Sequence, residues 1–132
     1  MIRIVTGAVL AGCLAVAATA QENAVEIGTG AVLRGLDKVN ASVTDIPLAN
    51  GESQEYGRLI IQLRECRYPT DDPAGDAFAF LSIYDSADET QLFSGWMLAS
   101  SPAVNALEHP RYDVWVTSCR INEAADTSNA TE

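Results

Sequence analysis

An alternation of apolar and polar side chains with a period of two directs most of this chain toward β-strands. Residues 58–66 place Leu59, Ile61 and Leu63 on one face, opposite Gln62. Successive side chains of a β-strand point to opposite sides of its sheet, so this spacing predicts a half-buried strand. The same periodicity recurs along the chain and predicts a fold built from sheets.

Further strands are predicted downstream of this segment. Residues 76–85 carry apolar side chains on both faces, which predicts a central strand covered on two sides. Residues 92–98 and 112–121 show the same alternation. In the last of these, the spacing places Trp115 and Cys119 on one face and Val114 and Val116 on the other.

Two weaker strand candidates come earlier in the chain. Residues 32–39 are interrupted by Gly35, and residues 43–46 end at Pro47. The dipeptide Asn50-Gly51 is typical of a type I′ hairpin turn, because both residue types accept positive φ angles. We therefore expect a hairpin at this point of the chain.

One short helix is predicted between the last two strands. Ser101 can cap its N-terminus, Pro102 suits the first helical position, and the run continues through Leu107. The pair His109-Pro110 ends it, because a residue before proline avoids helical backbone angles. The expected fold is an all-β sandwich or partly open barrel of about six to eight strands, with this one short helix.

Residues 1–20 have the pattern of an export signal peptide. Arg3 gives a positive start, the following residues to Ala20 carry no charge, and Ala18-Thr19-Ala20 matches the small-residue pattern of a cleavage site. We therefore expect a periplasmic protein that has no membrane span once the signal is removed. The remaining chain is predicted to divide into a flexible leader (21–31), a single β-domain (32–121) and a disordered tail (122–132).

Two other fates of the N-terminal segment stay open. Leu10-Ala11-Gly12-Cys13 matches the pattern before the lipidated cysteine of bacterial lipoproteins, although the apolar run continues beyond Cys13. Left uncleaved, the segment would instead be a membrane anchor, at the lower limit of the length that spans a bilayer.

The two cysteines that remain after signal cleavage predict a disulfide. Cys66 and Cys119 form an even count in an oxidising compartment, and neither belongs to a Cys-x-x-Cys motif. Closing a loop of ~50 residues stabilises a fold by roughly 4 kcal/mol in the chain-entropy model. A structural bridge is therefore expected, and a catalytic thiol is not.

The charge balance narrows the choice of partners. The chain has 18 acidic against 8 basic residues, a net charge of −10 at pH 7. Such a surface repels nucleic acid and anionic lipid headgroups, and the sequence contains no glycine-rich phosphate loop. Nucleic acid is therefore not an expected partner, and no cofactor is predicted.

Metal binding has little support in the sequence. Zinc needs three or four Cys, His or carboxylate ligands, and the chain offers one histidine besides the two cysteines expected in the disulfide. Calcium at Asp71, Asp72 and Asp76 stays as a weak alternative, because oxygen ligands in a flexible loop suit that ion. The simpler interpretation of these carboxylates is a solvated acidic turn.

Several segments are similar to one bacterial family. They are residues 95–110 and 112–116, together with the shorter runs Arg34-Gly35-Leu36-Asp37-Lys38, Tyr56-Gly57-Arg58-Leu59 and Ala79-Phe80-Leu81. Over residues 32–121 the chain resembles an exported alphaproteobacterial family, domain of unknown function 2155, in which Phe often stands in place of Tyr56. The resemblance implies an envelope location and a bridge between the two matched cysteines. It implies no activity, cofactor or catalytic residue.

The segment from Trp96 to Cys119 carries the densest chemistry. Ser101, the sole histidine His109 and Asp113 could form a hydrolase triad, which requires a nucleophile and an acid on opposite sides of one imidazole. The chain has no Gly-x-Ser-x-Gly elbow, however, and Ser101 has a simpler use as a helix cap. His109 can equally anchor a turn through a backbone carbonyl or Asp113, so catalysis is not the favoured interpretation.

The favoured function is a non-enzymatic envelope module that binds another protein, acting as an assembly or accessory factor. The candidate binding surface comprises Trp96, Ser100, Ser101, Asn105, Glu108, His109, Tyr112 and Asp113. One alternative is a ligand- or carbohydrate-binding module that uses Trp96, Tyr112 or Trp115 as a stacking platform. Another is a small hydrolase centred on His109. The simpler interpretation is that these aromatic residues fill the core.

Overall fold

The computed structural model describes residues 24–121, and these form eight β-strands without a helix, in agreement with the expected all-β class. The predicted signal peptide, the lipidation site at Cys13 and the C-terminal tail lie outside the described residues. The strands are β1 (Val25–Ile27), β2 (Gly30–Asp37), β3 (Ser42–Ala49), β4 (Ser53–Tyr56), β5 (Leu59–Pro69), β6 (Phe78–Asp85), β7 (Gln91–Leu98) and β8 (Tyr112–Arg120).

The strands form two antiparallel sheets that pack as a sandwich. The larger sheet has the order β1-β5-β6-β7, with β4 also paired to β5, and the smaller sheet has the order β3-β2-β8. The inner faces bury one continuous core. Its members are Ala31, Leu33, Ile46, Leu48, Leu59, Ile61, Leu63, Cys66, Ala77, Ala79, Leu81, Ile83, Met97, Leu107, Tyr112, Val114 and Val116.

Two β-bulges turn the cysteines toward each other. The register between β5 and β6 shifts at Arg64, and the register between β2 and β8 shifts at Thr117. An extra residue in one strand reverses the alternation beyond it. Cys119 therefore packs against the core and bonds to the buried Cys66, so the prediction that it shares a face with Trp115 is wrong.

The predicted disulfide is confirmed. Cys66 on β5 and Cys119 on β8 are bonded, with their Cα atoms 5.6 Å apart. Since β5 belongs to the larger sheet and β8 to the smaller one, the bond joins the two layers of the sandwich. The two sheets are thereby linked at a position where no backbone ladder connects them.

The predicted short helix is wrong, and a turn stands in its place. The Val104 amide donates to the Ser101 carbonyl at 3.1 Å, and no helical hydrogen-bond series follows. A two-turn segment has little helical stability of its own, so tertiary contacts decide its shape. Here Leu107 is drawn into the core, where it is 5% exposed.

The Asn50-Gly51 turn does not form the expected hairpin. The Glu52 amide donates to the Ala49 carbonyl at 3.0 Å, which closes a turn between β3 of the smaller sheet and β4 of the larger one. A two-residue hairpin occurs instead at Gly57, which has a φ of 57° and connects β4 to β5. A side chain at Gly57 would also collide with the hydroxyl group of Tyr112.

Two boundaries differ from the sequence-based expectation. Pro47 does not end its strand, because β3 is an edge strand and the missing proline N–H can lie on the unpaired side. The segment expected to be a flexible leader contains β1 and the first residues of β2 in its described part. β1 pairs with the end of β5 and so widens the larger sheet.

Candidate functional site

The outer face of the larger sheet carries aromatic and arginine side chains. Register brings Arg67, Phe78 and Leu98 into one row across β5, β6 and β7. The adjacent row contains Glu65, Phe80 and Trp96. We name Arg64, Arg67, Phe78, Phe80 and Trp96 the aromatic–arginine face. Of these five residues, only Trp96 belongs to the binding surface predicted from the sequence.

The rings and guanidinium groups of this face pack on one another. The Trp96 ring meets Phe80 edge to face, with centroids 5.4 Å apart. The Arg67 guanidinium lies 5.0 Å from the Trp96 centroid, and that of Arg64 lies 4.8 Å from the Phe80 centroid. Both distances fall within the range of cation–π attraction, so the arginines are held against the rings.

The bulge at Arg64 explains why two arginines share this face. Without the bulge, strict alternation would place Arg67 toward the interior, together with Leu59 and Leu63. The extra residue instead turns Glu65 and Arg67 outward, where they form an ion pair of 2.8 Å. Strict alternation along β5 therefore does not predict this face, although the aromatic side chains of β6 are visible in the sequence.

An open apolar groove borders the face. It has a volume of about 280 Å³ and is lined by Val25, Arg67, Phe78 and Trp96. Val25 is 43% exposed, and its neighbour Ile27 on β1 is 60% exposed. Solvated faces of antiparallel sheets are usually polar, so an apolar groove on the outer face is typical of a contact surface. The prediction that β6 is covered on both sides is not met by the described residues.

A second cluster lies at one end of the sandwich, around Asp37 and Arg111. The Arg111 guanidinium donates to both carboxylate oxygens of Asp37, at 2.9 to 3.3 Å, and Asp37 is 8% exposed. The hydrogen bond from Arg111 holds the pKa of Asp37 below its usual range. This ion pair joins β2 to the loop before β8, and it occupies both the Asp37 carboxylate and the Arg111 guanidinium.

Tyr56 and Tyr112 pack beside this ion pair. Their ring centroids are 5.4 Å apart, and Tyr56 lies directly over Gly35, where a Cβ would collide with the ring. The Tyr56 hydroxyl is buried and has no hydrogen-bond partner among the described residues. Burial, assisted by the nearby charge of Asp37, raises the pKa of Tyr56. Through these contacts the two tyrosine rings pack between the larger and the smaller sheet.

His109 anchors the turn that leads into β8. Its Nδ1 accepts hydrogen bonds from the backbone amides of Arg111 at 3.0 Å and Tyr112 at 3.2 Å. The partners of the His109 side chain are therefore backbone amides, and not the backbone carbonyl or Asp113 predicted from the sequence. The Lys38 ammonium donates to the His109 carbonyl at 2.8 Å and so holds the same turn from β2.

Two side chains of the considered hydrolase triad, His109 and Asp113, are engaged elsewhere. Asp113 pairs with Lys38 at 3.3 Å, and the His109 Nδ1 is occupied by backbone amides. Ser100, the residue before the triad's Ser101, donates its hydroxyl to Asp76 at 2.7 Å. Within residues 24–121, therefore, no Ser–His–Asp hydrogen-bonded line is assembled.

The remaining members of the predicted binding surface make separate local contacts. The Asn105 side-chain amide donates to the Trp96 carbonyl at 2.8 Å, and the Ser101 amide bonds to the Leu98 carbonyl at 3.3 Å. Glu108 is exposed on the loop. Tyr112 is only 3% exposed and belongs to the core, so its assignment to a binding surface is wrong.

The second tryptophan lies on the opposite side of the molecule. Trp115 is half-buried on the outer face of the smaller sheet, where it pairs with Arg34 in register. A groove of about 270 Å³ separates it from the loop that carries Pro102 and Leu107. The Arg34 guanidinium is matched by Asp45 at 2.8 Å.

The calcium alternative finds no support in the structure. Asp76 accepts hydrogen bonds from Ser100 and from the Ala77 amide. Among the described residues, no group of three or more His, Cys, Asp or Glu side chains is placed to hold a metal ion. The same part of the chain contains no helix long and apolar enough to cross a membrane.

The sequence of this chain is similar to those of uncharacterised bacterial proteins. A family model described as "Uncharacterized protein conserved in bacteria (DUF2155)" matches residues 31–119, which confirms the resemblance noted in the sequence. Uncharacterized protein RP359 of Rickettsia prowazekii (strain Madrid E) is 31% identical over 94 residues, covering 69% of this chain. The chain spans 61% of that relative's length. No solved structure matches the chain.

Proposed function

Because the chain belongs to the DUF2155 family of uncharacterised bacterial proteins, we propose its function from its surface: it is an exported, non-enzymatic module that binds another envelope protein. The binding surface is the aromatic–arginine face with its adjoining groove. In this role the protein serves as an assembly or accessory factor. The export signal pattern of residues 1–20 supports the periplasmic location, and the disulfide suits an oxidising compartment.

The observation that carries the proposal is the uncovered aromatic face of the larger sheet. Its inner face is already packed against the smaller sheet, so Phe78, Phe80 and Trp96 are not needed to complete the core. Tryptophan and arginine are the residue types enriched among the dominant contacts of protein interfaces. A partner that covers this face would remove apolar surface from water, which is the main favourable term in association.

Carbohydrate binding is the second candidate, because Trp96 borders an open groove. A sugar that stacks on a ring also needs polar groups around it to bind its hydroxyls. Among the described residues, Val25, Phe78 and Trp96 line the groove, and Arg67 is the one polar side chain there. This composition favours a protein side chain over a sugar.

Site-specific cross-linking in living cells tests the proposal. A photoreactive residue replaces Leu98 on the outer face of the larger sheet, and in a matched strain it replaces Leu36 on the outer face of the smaller sheet. Both leucines are half-buried in outer faces, so the two probes are comparable. We expect one discrete envelope protein cross-linked at position 98 and absent at position 36.

A tryptophan pair provides the second arm of this test. Trp96→Ala should abolish the cross-link at position 98, whereas Trp115→Ala on the other sheet should preserve it, with both variants exported and folded. Equal cross-linking at positions 98 and 36 would count against the aromatic–arginine face as the binding surface. Capture of purified peptidoglycan or polysaccharide through Trp96, without a protein partner, would establish the carbohydrate candidate.

A further inference from the structure

The aromatic–arginine face carries two arginines although the molecule as a whole is acidic. The chain has a net charge of −10 at pH 7, yet two arginines lie against this patch of rings. Three basic side chains elsewhere form ion pairs: Arg34 with Asp45, Lys38 with Asp113 and Arg111 with Asp37. On the face itself Glu65 pairs with Arg67, so Arg64 is the positive charge that no carboxylate matches among residues 24–121.

Arg64 is the arginine best placed to receive a charge from outside. Its guanidinium lies over Phe80, and within residues 24–121 it forms no ion pair. Arg67 has one such partner, Glu65, which engages Nη2. A guanidinium has five N–H donors, so Arg67 retains donors beyond the one that Glu65 uses.

We infer that the occupant of this face is a segment of the partner protein that combines an apolar side chain with carboxylates. The apolar side chain enters the groove between Val25, Phe78 and Trp96, and the carboxylates bind Arg64 and Arg67. Guanidinium and carboxylate groups form strong charge-assisted hydrogen bonds, and rings beside them exclude water. This inference deepens the proposed function and rests on it.

The acidic loop beyond Phe78 sets the orientation of that segment. Asp71, Asp72 and Asp76 border a neighbouring depression that shares Val25 and Phe78 with the groove. These carboxylates repel an acidic segment on that side. The acidic residues of the partner must therefore lie toward Arg64, and only neutral residues of the segment can pass the loop.

A random peptide library tests this chemistry directly. Phage-displayed 12-residue peptides are selected on the full-length protein, purified in its exported and disulfide-bonded form, after removal of phage that bind the Trp96→Ala variant. We expect the selected sequences to be enriched in Asp and Glu next to Phe, Leu, Ile or Trp. Their binding should weaken as salt concentration rises, because exposed charges are screened.

Charge reversal distinguishes the arginines from the rings. The double variant Arg64→Glu with Arg67→Glu should weaken the selected peptides at least about tenfold. The corresponding double lysine variant should retain part of the binding, because it keeps the charge. Arg34→Glu on the smaller sheet is the matched control and should leave affinity unchanged. Thermal unfolding of each variant separates loss of binding from loss of fold.

The outcomes separate this inference from the proposed function. Selection of neutral or basic peptides that require Trp96 would preserve the face as a binding site and overturn the acidic partner. Failure to select any Trp96-dependent peptide would overturn the inference, while the cross-link at position 98 tests the function independently. Stronger peptide binding after removal of residues 122–132 would assign the face to the chain's own acidic end. A Trp96-dependent dimer in sedimentation would assign it to a second copy.

Discussion

At Tyr56 a hydroxyl group is buried in the described residues without a hydrogen-bond partner, while the ring packs well on Gly35 and Tyr112. Tyr68 offers a contrast, because its hydroxyl donates to Glu26 at 2.8 Å. A buried donor without a partner costs about 1–3 kcal/mol of stability. The packing of the Tyr56 ring, and not its hydroxyl group, therefore contributes to the stability of the fold.

Tyr56→Phe should leave the free energy of unfolding unchanged or raise it by up to about 1 kcal/mol. Tyr68→Phe should lower it, because the hydrogen bond to Glu26 is lost. Urea unfolding of the two variants beside the parent protein measures both changes. A loss of stability in Tyr56→Phe as large as that in Tyr68→Phe would show that the Tyr56 hydroxyl has a partner.

The Asp37–Arg111 pair makes stability depend on pH in a defined direction. The hydrogen bond from Arg111 holds the pKa of Asp37 below its unfolded value, which is about 3.9. A depressed folded pKa contributes stability above the unfolded value, and this contribution is lost as pH falls toward the folded one. Asp37→Asn should therefore be less stable than the parent protein at neutral pH, with a difference that narrows below about pH 4.

Urea unfolding between neutral and strongly acidic pH checks this expectation. Asp45→Asn is the matched control, because Asp45 pairs with Arg34 at an exposed site where solvent screens the interaction. Its effect on stability should be smaller than that of Asp37→Asn at neutral pH. A difference between parent and Asp37→Asn that stays constant across the whole range would contradict the linkage.

At the level of elements, the loop between β7 and β8 illustrates how packing overrides local preference. Its sequence has a helix cap and a proline at the first helical position, yet the described structure is a turn. Leu107 enters the core, and the Asn105 side chain bonds to the Trp96 carbonyl. Both contacts reach outside the loop, so sequence alone could not reveal them.

Leu107→Ala should lower the free energy of unfolding by about 2–5 kcal/mol, as expected for the loss of a buried leucine. Val104→Ala in the same loop should be nearly neutral, because Val104 is 74% exposed. Thermal and urea unfolding of both variants provide the comparison. Similar effects of the two substitutions would indicate that Leu107 does not pack in the core.

For the whole molecule, the disulfide is the covalent link between the two layers of the sandwich. Cys66 and Cys119 are separated by 53 positions in sequence. Reduction of the bond should lower the free energy of unfolding by about 4 kcal/mol in the chain-entropy model. Urea unfolding with and without reductant measures the change, and the Cys66→Ala, Cys119→Ala double variant should not respond to reductant. Equal stability of oxidised and reduced parent protein would contradict this role.

The candidate binding face also belongs to the whole-molecule scale. Trp96 was identifiable as an interface candidate from its residue type, but its neighbours Arg64, Arg67 and Phe78 come from other strands. The family motifs around Asp37, Tyr56 and Tyr112 meet in a structural cluster at the end of the sandwich. The family motifs therefore contain residues that pack within the fold as well as residues on its surface.

The sequence by itself determined the β class, most strand positions, the disulfide partners and the family, because periodicity, cysteine count and motifs are properties of the chain read along its length. The tertiary structure decided which residues share a face. Bulges at Arg64 and Thr117 reverse the alternation within β5 and β8, and only pairing with neighbouring strands reveals them. Those register shifts turn both cysteines inward and Arg67 outward, and so create the face on which the proposed function rests.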